Sequence, residues 1–144
     1  MRKRFVIHEH HATRLHFDLR LEIDGVLKSW AVPKGVSMNP ADKRLAVRVP
    51  DHSLGYIDFK GTLAEGTYGA GEVRIWDEGE FEAENPSEQL EKGKLVFTFY
   101  GAKLKGKFTL VKFWNHEKNW LITKLKDEFA DADWKLETVL KPKK

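Results

Sequence analysis

The residues most able to do chemistry lie close together near the start of the chain: His10, His16, Asp18 and Arg20. From His16 to Ile23 polar and apolar residues alternate without a fault, and a period of two marks a strand with one polar and one apolar face. His16, Asp18, Arg20 and Glu22 therefore share one face, spaced roughly 6.5–7 Å apart, while Phe17, Leu19, Leu21 and Ile23 share the other. His10 stands six residues before His16, in or near a turn from which it can fold back onto the strand. Two imidazoles and one carboxylate then make a ligand set with open positions for water and a substrate oxygen. That mix suits Mn, Fe, Zn or Co, and an open octahedral site favours Mn or Fe. Arg20, two residues beyond Asp18, can reach a group bound there, and its planar fork matches phosphate bidentately. A His-x-Asp pair alone is more often a hydrogen-bonded surface pair than a ligand pair. Histidines at 8, 10, 11 and 16 tilt this one toward metal.

The elements that must position these residues are mostly strands. Asp24-Gly25 reads as a type I′ hairpin turn, since both central positions need positive φ, and Val26 to Val32 is the return strand, stopped by Pro33-Lys34-Gly35. Further strands are expected at Arg44–Val49, Tyr56–Gly61, Glu72–Trp76, Glu80–Ala83, Leu95–Tyr100, Lys107–Trp114 and Trp120–Lys126, separated by turns such as Asp77-Glu78-Gly79, Tyr100-Gly101 and Asn115-His116. One helix is expected between Asn85, as N-cap, and Gly93, with Pro86 at its first position. Short strands with a turn every eight to twelve residues indicate an all-β barrel or sandwich. No internal repeat or linker divides the chain, so residues 1–144 are read as a single domain.

The bulk composition sets limits. The chain has 144 residues, 41% hydrophobic and 33% charged, the profile of a soluble globular domain able to bury one core. No apolar run approaches the length of a bilayer span, and no apolar leader follows the basic Met1-Arg2-Lys3-Arg4, so a cytoplasmic, non-membrane protein is expected. There is no cysteine, which excludes a disulfide scaffold, a thiolate metal site and a cysteine nucleophile. The net charge of +3 is compatible with a polyanionic partner. The basic runs Lys103–Lys107 and Lys141–Lys144 read first as solvated surface.

Longer stretches are more specific than any of these pieces. Phe5-Val6-Ile7, His10 through Ala12, Leu15 through Glu22, and Asp24 through Gly35 closely resemble the 3′-phosphoesterase domain of the bacterial ATP-dependent DNA ligase D. The match continues through Lys43–Val47, Asp51-His52, Tyr56, Glu65-Gly66-Thr67-Tyr68-Gly69-Ala70-Gly71 and Trp76-Asp77. The resemblance implies a closed or nearly closed β-barrel of about eight strands with one or two short helices, and a manganese site in its interior, with Co²⁺ or Zn²⁺ as substitutes. It implies removal of a 3′-terminal ribonucleoside to leave a 3′-phosphate, then of that phosphate to leave a 3′-OH. The partners would be DNA or DNA/RNA 3′ ends, with a DNA ligase or end-joining factors alongside a monomeric protein.

Carried over by position, His10, His16 and Asp18 match the family's metal ligands, and Arg20 and His52 its phosphate-contacting pair. Lys34, Arg44 and Tyr56 fall on further positions of importance. Two residues depart from the pattern: His8 where a polar amide is expected, and Pro50 where an acidic residue often precedes the Asp-His pair. Both bear on the groups that orient the ligands. Ser29, in an apolar strand with no adjacent base, is not a candidate nucleophile. Two other readings use the same residues. One is a non-haem iron oxygenase with His52 as the distant ligand. The other is a non-catalytic nucleic-acid-binding barrel, stacking bases on its five tryptophans.

Overall fold

In the computed structural model, residues 2–63 and 71–140 are described. The elements run β1 (Arg2–His11), β2 (Leu15–Ile23), β3 (Val26–Val32), β4 (Arg44–His52), a 3₁₀ helix (Leu54–Asp58), β5 (Gly61–Leu63), β6 (Gly71–Glu82), α1 (Pro86–Glu91), β7 (Lys94–Gly101), β8 (Lys105–Lys112) and β9 (Asn119–Lys124). Neighbouring strands pair antiparallel in the order β1-β2-β3-β4-β9-β8-β7-β6, and β6 returns to β1, closing an eight-stranded barrel. β5 is the extra strand, paired with β6 outside the ring. Closure removes free edges from the main sheet. The all-β barrel expected from the sequence is the fold.

The lumen is filled. Phe17, Leu19, Leu21 and Ile23 of β2 point into one cluster with Phe5, Ile7, Trp30, Val32, Phe97, Phe99, Phe108 and Leu110. The residues expected to form a site within the barrel instead lie on the outer face of the β1–β2–β3 wall, opposite that cluster: His16, Asp18 and Arg20 alternate with the inward Phe17, Leu19 and Leu21. A second small core of Val6, Leu27 and Ile57 seats the 3₁₀ helix over this outer face.

The Asp24-Gly25 turn has φ values of 57° and 77°, as a type I′ hairpin requires. Other elements differ from expectation. His10 is not in a turn but on β1, directly opposite His16, because residues 12–14 make the connection. Tyr56–Gly61 is not a strand: Tyr56 and Phe59 donate backbone N–H bonds to Ser53 and Tyr56, both 3.1 Å, and close the 3₁₀ helix. Asp77-Glu78-Gly79 is not a turn but the middle of a continuous β6. There Trp76 is bulged out of register, since Ile7 pairs with Asp77 and His8 with Ile75. The Asp77 carboxylate is turned to accept the N–H groups of Ala102, Lys103 and Leu104, so its polar side chain serves another loop. α1 forms where expected, but Asn85 takes a left-handed conformation and its side chain caps nothing.

After β9 the chain crosses one end of the barrel. The Trp76 indole donates to the Glu137 carbonyl at 2.8 Å, and Trp134 and Leu136 pack on the core. The buried Glu9 carboxylate accepts the N–H groups of Val139 and Leu140, at 2.6 and 2.8 Å. No helix of the described residues is long and apolar enough to cross a membrane.

Candidate metal centre and phosphate site

Strand pairing assembles the ligands. His10 faces His16 across β1–β2, their ring centres 4.7 Å apart, and Asp18 follows two residues on. One ligand atom from each of the three lies within 4.8 Å of the others, and they are the group of this kind found among the described residues. Asp18 Oδ1 is 3.3 Å from His16 Nε2, and Oδ2 is 3.5 Å from His10 Nδ1. The His10 and Asp18 side chains are about nine-tenths buried, while His16 is 24% exposed, so the group opens toward solvent on the His16 side. His16 Nδ1 lies 3.2 Å from the Arg14 carbonyl, a contact that fixes the ring and leaves Nε2 for a ligand.

The electrostatics suit a cation. Burial opposes ionisation of Asp18, but hydrogen bonds from His10 and His16 and the Arg20 charge hold its carboxyl well below the usual range. The same hydrogen bond to Asp18 raises the His16 pKa against the effect of burial. Two nitrogens converging on an ionised carboxylate are a donor set that a divalent ion fits.

Arg20 stands beside this group with its fork already occupied on three sides. Nε donates to His8 Nδ1 at 3.1 Å, Nη1 to Ser29 Oγ at 2.9 Å, and Nη2 is 3.5 Å from Asp18 Oδ2. Ser29 Oγ–H donates to the Leu27 carbonyl at 3.0 Å, so its lone pairs face the guanidinium. To accept from Arg20, His8 must be neutral, and burial with the Arg20 charge lowers its pKa to about 4. Its Nε2 is buried with no completed hydrogen bond, and the Phe59 backbone bears on the ring. A buried guanidinium held at this angle is a preorganised anion seat.

The cover over the wall supplies the rest. His52, at the end of β4, stacks on Tyr56 at 4.4 Å, and Tyr56 stacks on Phe59 at 4.9 Å. The Arg20 guanidinium carbon lies 5.1 Å from the Tyr56 ring centre. Burial and the Arg20 charge lower the His52 pKa, and burial raises that of Tyr56.

Of the residues read from the sequence, His10, His16, Asp18, Arg20, His52 and Tyr56 converge here. Lys34 and Arg44 do not touch them. They line a neighbouring cleft of about 400 Å³ with Asp42 and Lys43, where Arg44 pairs with Asp42 at 3.3 Å. That cleft adjoins the His16 end of the site, because Phe17 pairs with Val32 and Lys34 follows two residues later. Most of the Glu65–Gly71 match lies outside the described residues. Sequence reasoning missed Ser29 and Phe59 as parts of the site and marked His8 only as a departure. Strand periodicity could have found His8, which stands two residues from His10 on the same face.

Comparison with known proteins identifies the family. A sequence model described as the DNA Ligase D 3′-phosphoesterase domain matches residues 8–112, a span holding every site residue named above. The multifunctional non-homologous end joining protein LigD of Pseudomonas aeruginosa is 49% identical over 127 residues, covering 86% of this chain and 15% of that protein. Its counterpart in Mycolicibacterium smegmatis is 45% identical over 132 residues, 87% of this chain and 17% of the relative. The LigD of Mycobacterium tuberculosis is 41% identical over 124 residues, 86% and 16% respectively. The chain thus spans about a sixth of the length of the relatives it matches, and it belongs to the DNA ligase D 3′-phosphoesterase domain family.

Proposed function

We propose that this family member is a manganese-dependent 3′-end-processing phosphoesterase that heals DNA or DNA/RNA ends. It would release a 3′-terminal ribonucleoside and then the 3′-phosphate, leaving the 3′-OH that ligation and polymerisation need. The observation that carries this reading is the juxtaposition of an open His10–His16–Asp18 group with the buried, pre-aimed guanidinium of Arg20. An ion held by those three residues would supply Lewis-acid polarisation of a phosphate oxygen and acidify a bound water.

The chain's own residues do the remainder. Arg20 binds and orients the phosphoryl group, and as charge grows on the phosphoryl oxygens its contribution is worth about 3–4 kcal/mol, typical of a well-placed donor in a site with little water. His52, half-buried and stacked, contributes a second contact from the cover. With its pKa lowered it is largely neutral at neutral pH, so it acts by hydrogen bonding or by passing on a proton rather than as a fixed charge. Lys34 and Arg44, which line a separate cleft, would hold phosphates of the strand leading into the site.

His52 stacks on Tyr56 and stands outside the ligand group, which disfavours the oxygenase reading. The relatives' names place them in non-homologous end joining. By extension this chain would act on broken ends beside a ligase or end-joining factors. The test is a 5′-labelled primer–template ending in one ribonucleotide, incubated with a panel of divalent ions and no oxygen. Shortening with Mn²⁺, then conversion of the 3′-phosphate to 3′-OH, is expected. No shortening with any ion would overturn the proposal.

A further inference from the structure

We propose that Phe59 is a positioning residue that sets the spacing between Arg20 and His52 by joining the two arms of the site; the proposal rests on the function argued above. Arg20 is held from the barrel wall by His8, Ser29 and Asp18. His52 is held from the cover, where its ring contact is with Tyr56. No hydrogen bond runs between the two, so something else must set their distance. Both arms end on residue 59. Its ring lies parallel to Tyr56, 4.9 Å away with 9° between the planes, and Tyr56 in turn stacks on His52 at 4.4 Å. Its backbone lies against His8, the residue that receives Arg20 Nε.

Phe59 also ends the 3₁₀ helix. Its N–H donates to the Tyr56 carbonyl at 3.1 Å, and its backbone turns extended. Ring and main chain are thereby fixed to the same neighbour. Tyr56 adds a cross-brace, its ring centre 5.2 Å from that of His8 in a T-shaped contact and 5.1 Å from the Arg20 guanidinium carbon. Aromatic stacking is directional, so the run Phe59–Tyr56–His52 acts as a ruler in a way that aliphatic packing would not. Phe59 touches neither the ligand group nor Arg20, and it acts through Tyr56 and His8.

The test compares Phe59→Ala, Phe59→Leu and Phe59→Tyr in the full chain. The readouts are kcat and KM for 3′-end cleavage, Mn²⁺ affinity by calorimetry, and NMR shifts of the His52 ring protons. Phe59→Ala is expected to lower kcat by about 10- to 100-fold, the range for groups that orient functional residues, with KM and Mn²⁺ affinity within about threefold. Phe59→Tyr restores the rate, and the His52 ring signals lose the upfield shift that stacking confers only when the 59 ring is removed. In a His52→Ala background the same truncation costs less than about threefold, because coupled residues are non-additive. If Phe59→Ala does not fold, Phe59→Leu, which keeps bulk but not a planar face, carries the comparison. Unchanged kcat, effects that multiply with His52→Ala, or parallel loss of Mn²⁺ affinity would each overturn the assignment. A wild type that cleaves no 3′ end would instead overturn the proposed function, and the His52 shifts alone would then decide whether the ruler exists.

Discussion

Strand β2 carries two chemistries on one backbone. Its inner face, Phe17, Leu19, Leu21 and Ile23, and its outer face, Asp18 and Arg20, are both buried, yet they are buried by different rules. The inner side chains gain from any close apolar neighbour, a non-directional effect worth about 1.5–3 kcal/mol for each large side chain. The outer ones tolerate burial only because each polar atom has a specified partner: Asp18 has His10, His16 and Arg20, and Arg20 has His8 and Ser29. The inner face can therefore absorb a change with a loss of stability. The outer face cannot change without losing function.

Substituting adjacent residues tests that contrast most directly. Asp18→Asn keeps shape but removes the charge on which two imidazoles and a guanidinium converge. Since losing even an outer partner of a metal ligand costs 10–100-fold, activity is expected to fall by roughly 10³-fold or more, and stability falls as well, because the buried Arg20 charge loses its carboxylate. Leu19→Ala should cost stability alone. It leaves a cavity in a fully buried position and costs about 3–5 kcal/mol of stability, with kcat of the remaining folded protein unchanged. Urea denaturation alongside cleavage kinetics separates the two. Comparable losses of kcat in both variants would break the distinction between the faces.

A pH experiment sharpens it further, because the outer face is where the linkage lies. His8 titrates at about 4 rather than 6.5. A histidine with a lowered folded pKa contributes stability fully present above its unfolded value and lost as pH falls through the window between the two. The loss expected from pH 6.5 down to about 4 is about 3 kcal/mol at 1.36 kcal/mol per unit. His16 has the opposite sign: its raised pKa gives stability present below the unfolded value and lost as pH rises through the folded one. His16 therefore adds nothing further in the acid window, and His8→Asn, whose amide oxygen can still accept from Arg20, should flatten the acid limb. Urea midpoints measured across that range check it. A limb unchanged in His8→Asn would remove His8 as its cause.

The same two-faced logic explains what could be read in the residues. β2 and its hairpin were legible because one face is wholly apolar and Asp24-Gly25 has a single favoured conformation. β1 was not, because both of its faces change character along their length. Phe5 and Ile7 enter the main core while Val6, between them, enters the small one under Ile57, so no alternation shows. Beyond them His8 and His10 face the site, while Glu9 between them faces the C-terminal segment. The run His8-Glu9-His10-His11 is polar on both sides and reads as a loop. Tyr56 and Phe59 look like strand residues by type, but their rings serve a stack rather than a sheet face. Asp77 looks like a turn residue because nothing local reveals that its carboxylate caps a loop some 25 residues away. His52, Lys34 and Arg44 became candidates through family resemblance alone, since no periodicity ties them to Asp18.

The smallest expected effect falls on Ser29, where the two kinds of burial meet. It sits among apolar neighbours on β3, fully buried, and reads as core filler; its hydroxyl nevertheless accepts from Arg20 Nη1 and donates to the Leu27 carbonyl. Ser29→Ala removes one of three anchors on the guanidinium and leaves an N–H without its partner. A lost hydrogen bond to a charged group costs about 1.5–3 kcal/mol, and because Asp18 and His8 remain the stability change should be near the lower end, about 1.5 kcal/mol. The effect on kcat should be of comparable size, roughly 5- to 20-fold, because a guanidinium free to swing loses part of its preorganised advantage. Ser29→Thr, which retains the hydroxyl, should recover most of it if the added methyl is accommodated beside Ala31. Steady-state kinetics of the two variants decide the matter. If Ser29→Ala costs stability and leaves kcat intact, Ser29 belongs with the inner face in kind, and the division between the two faces is drawn one strand too far.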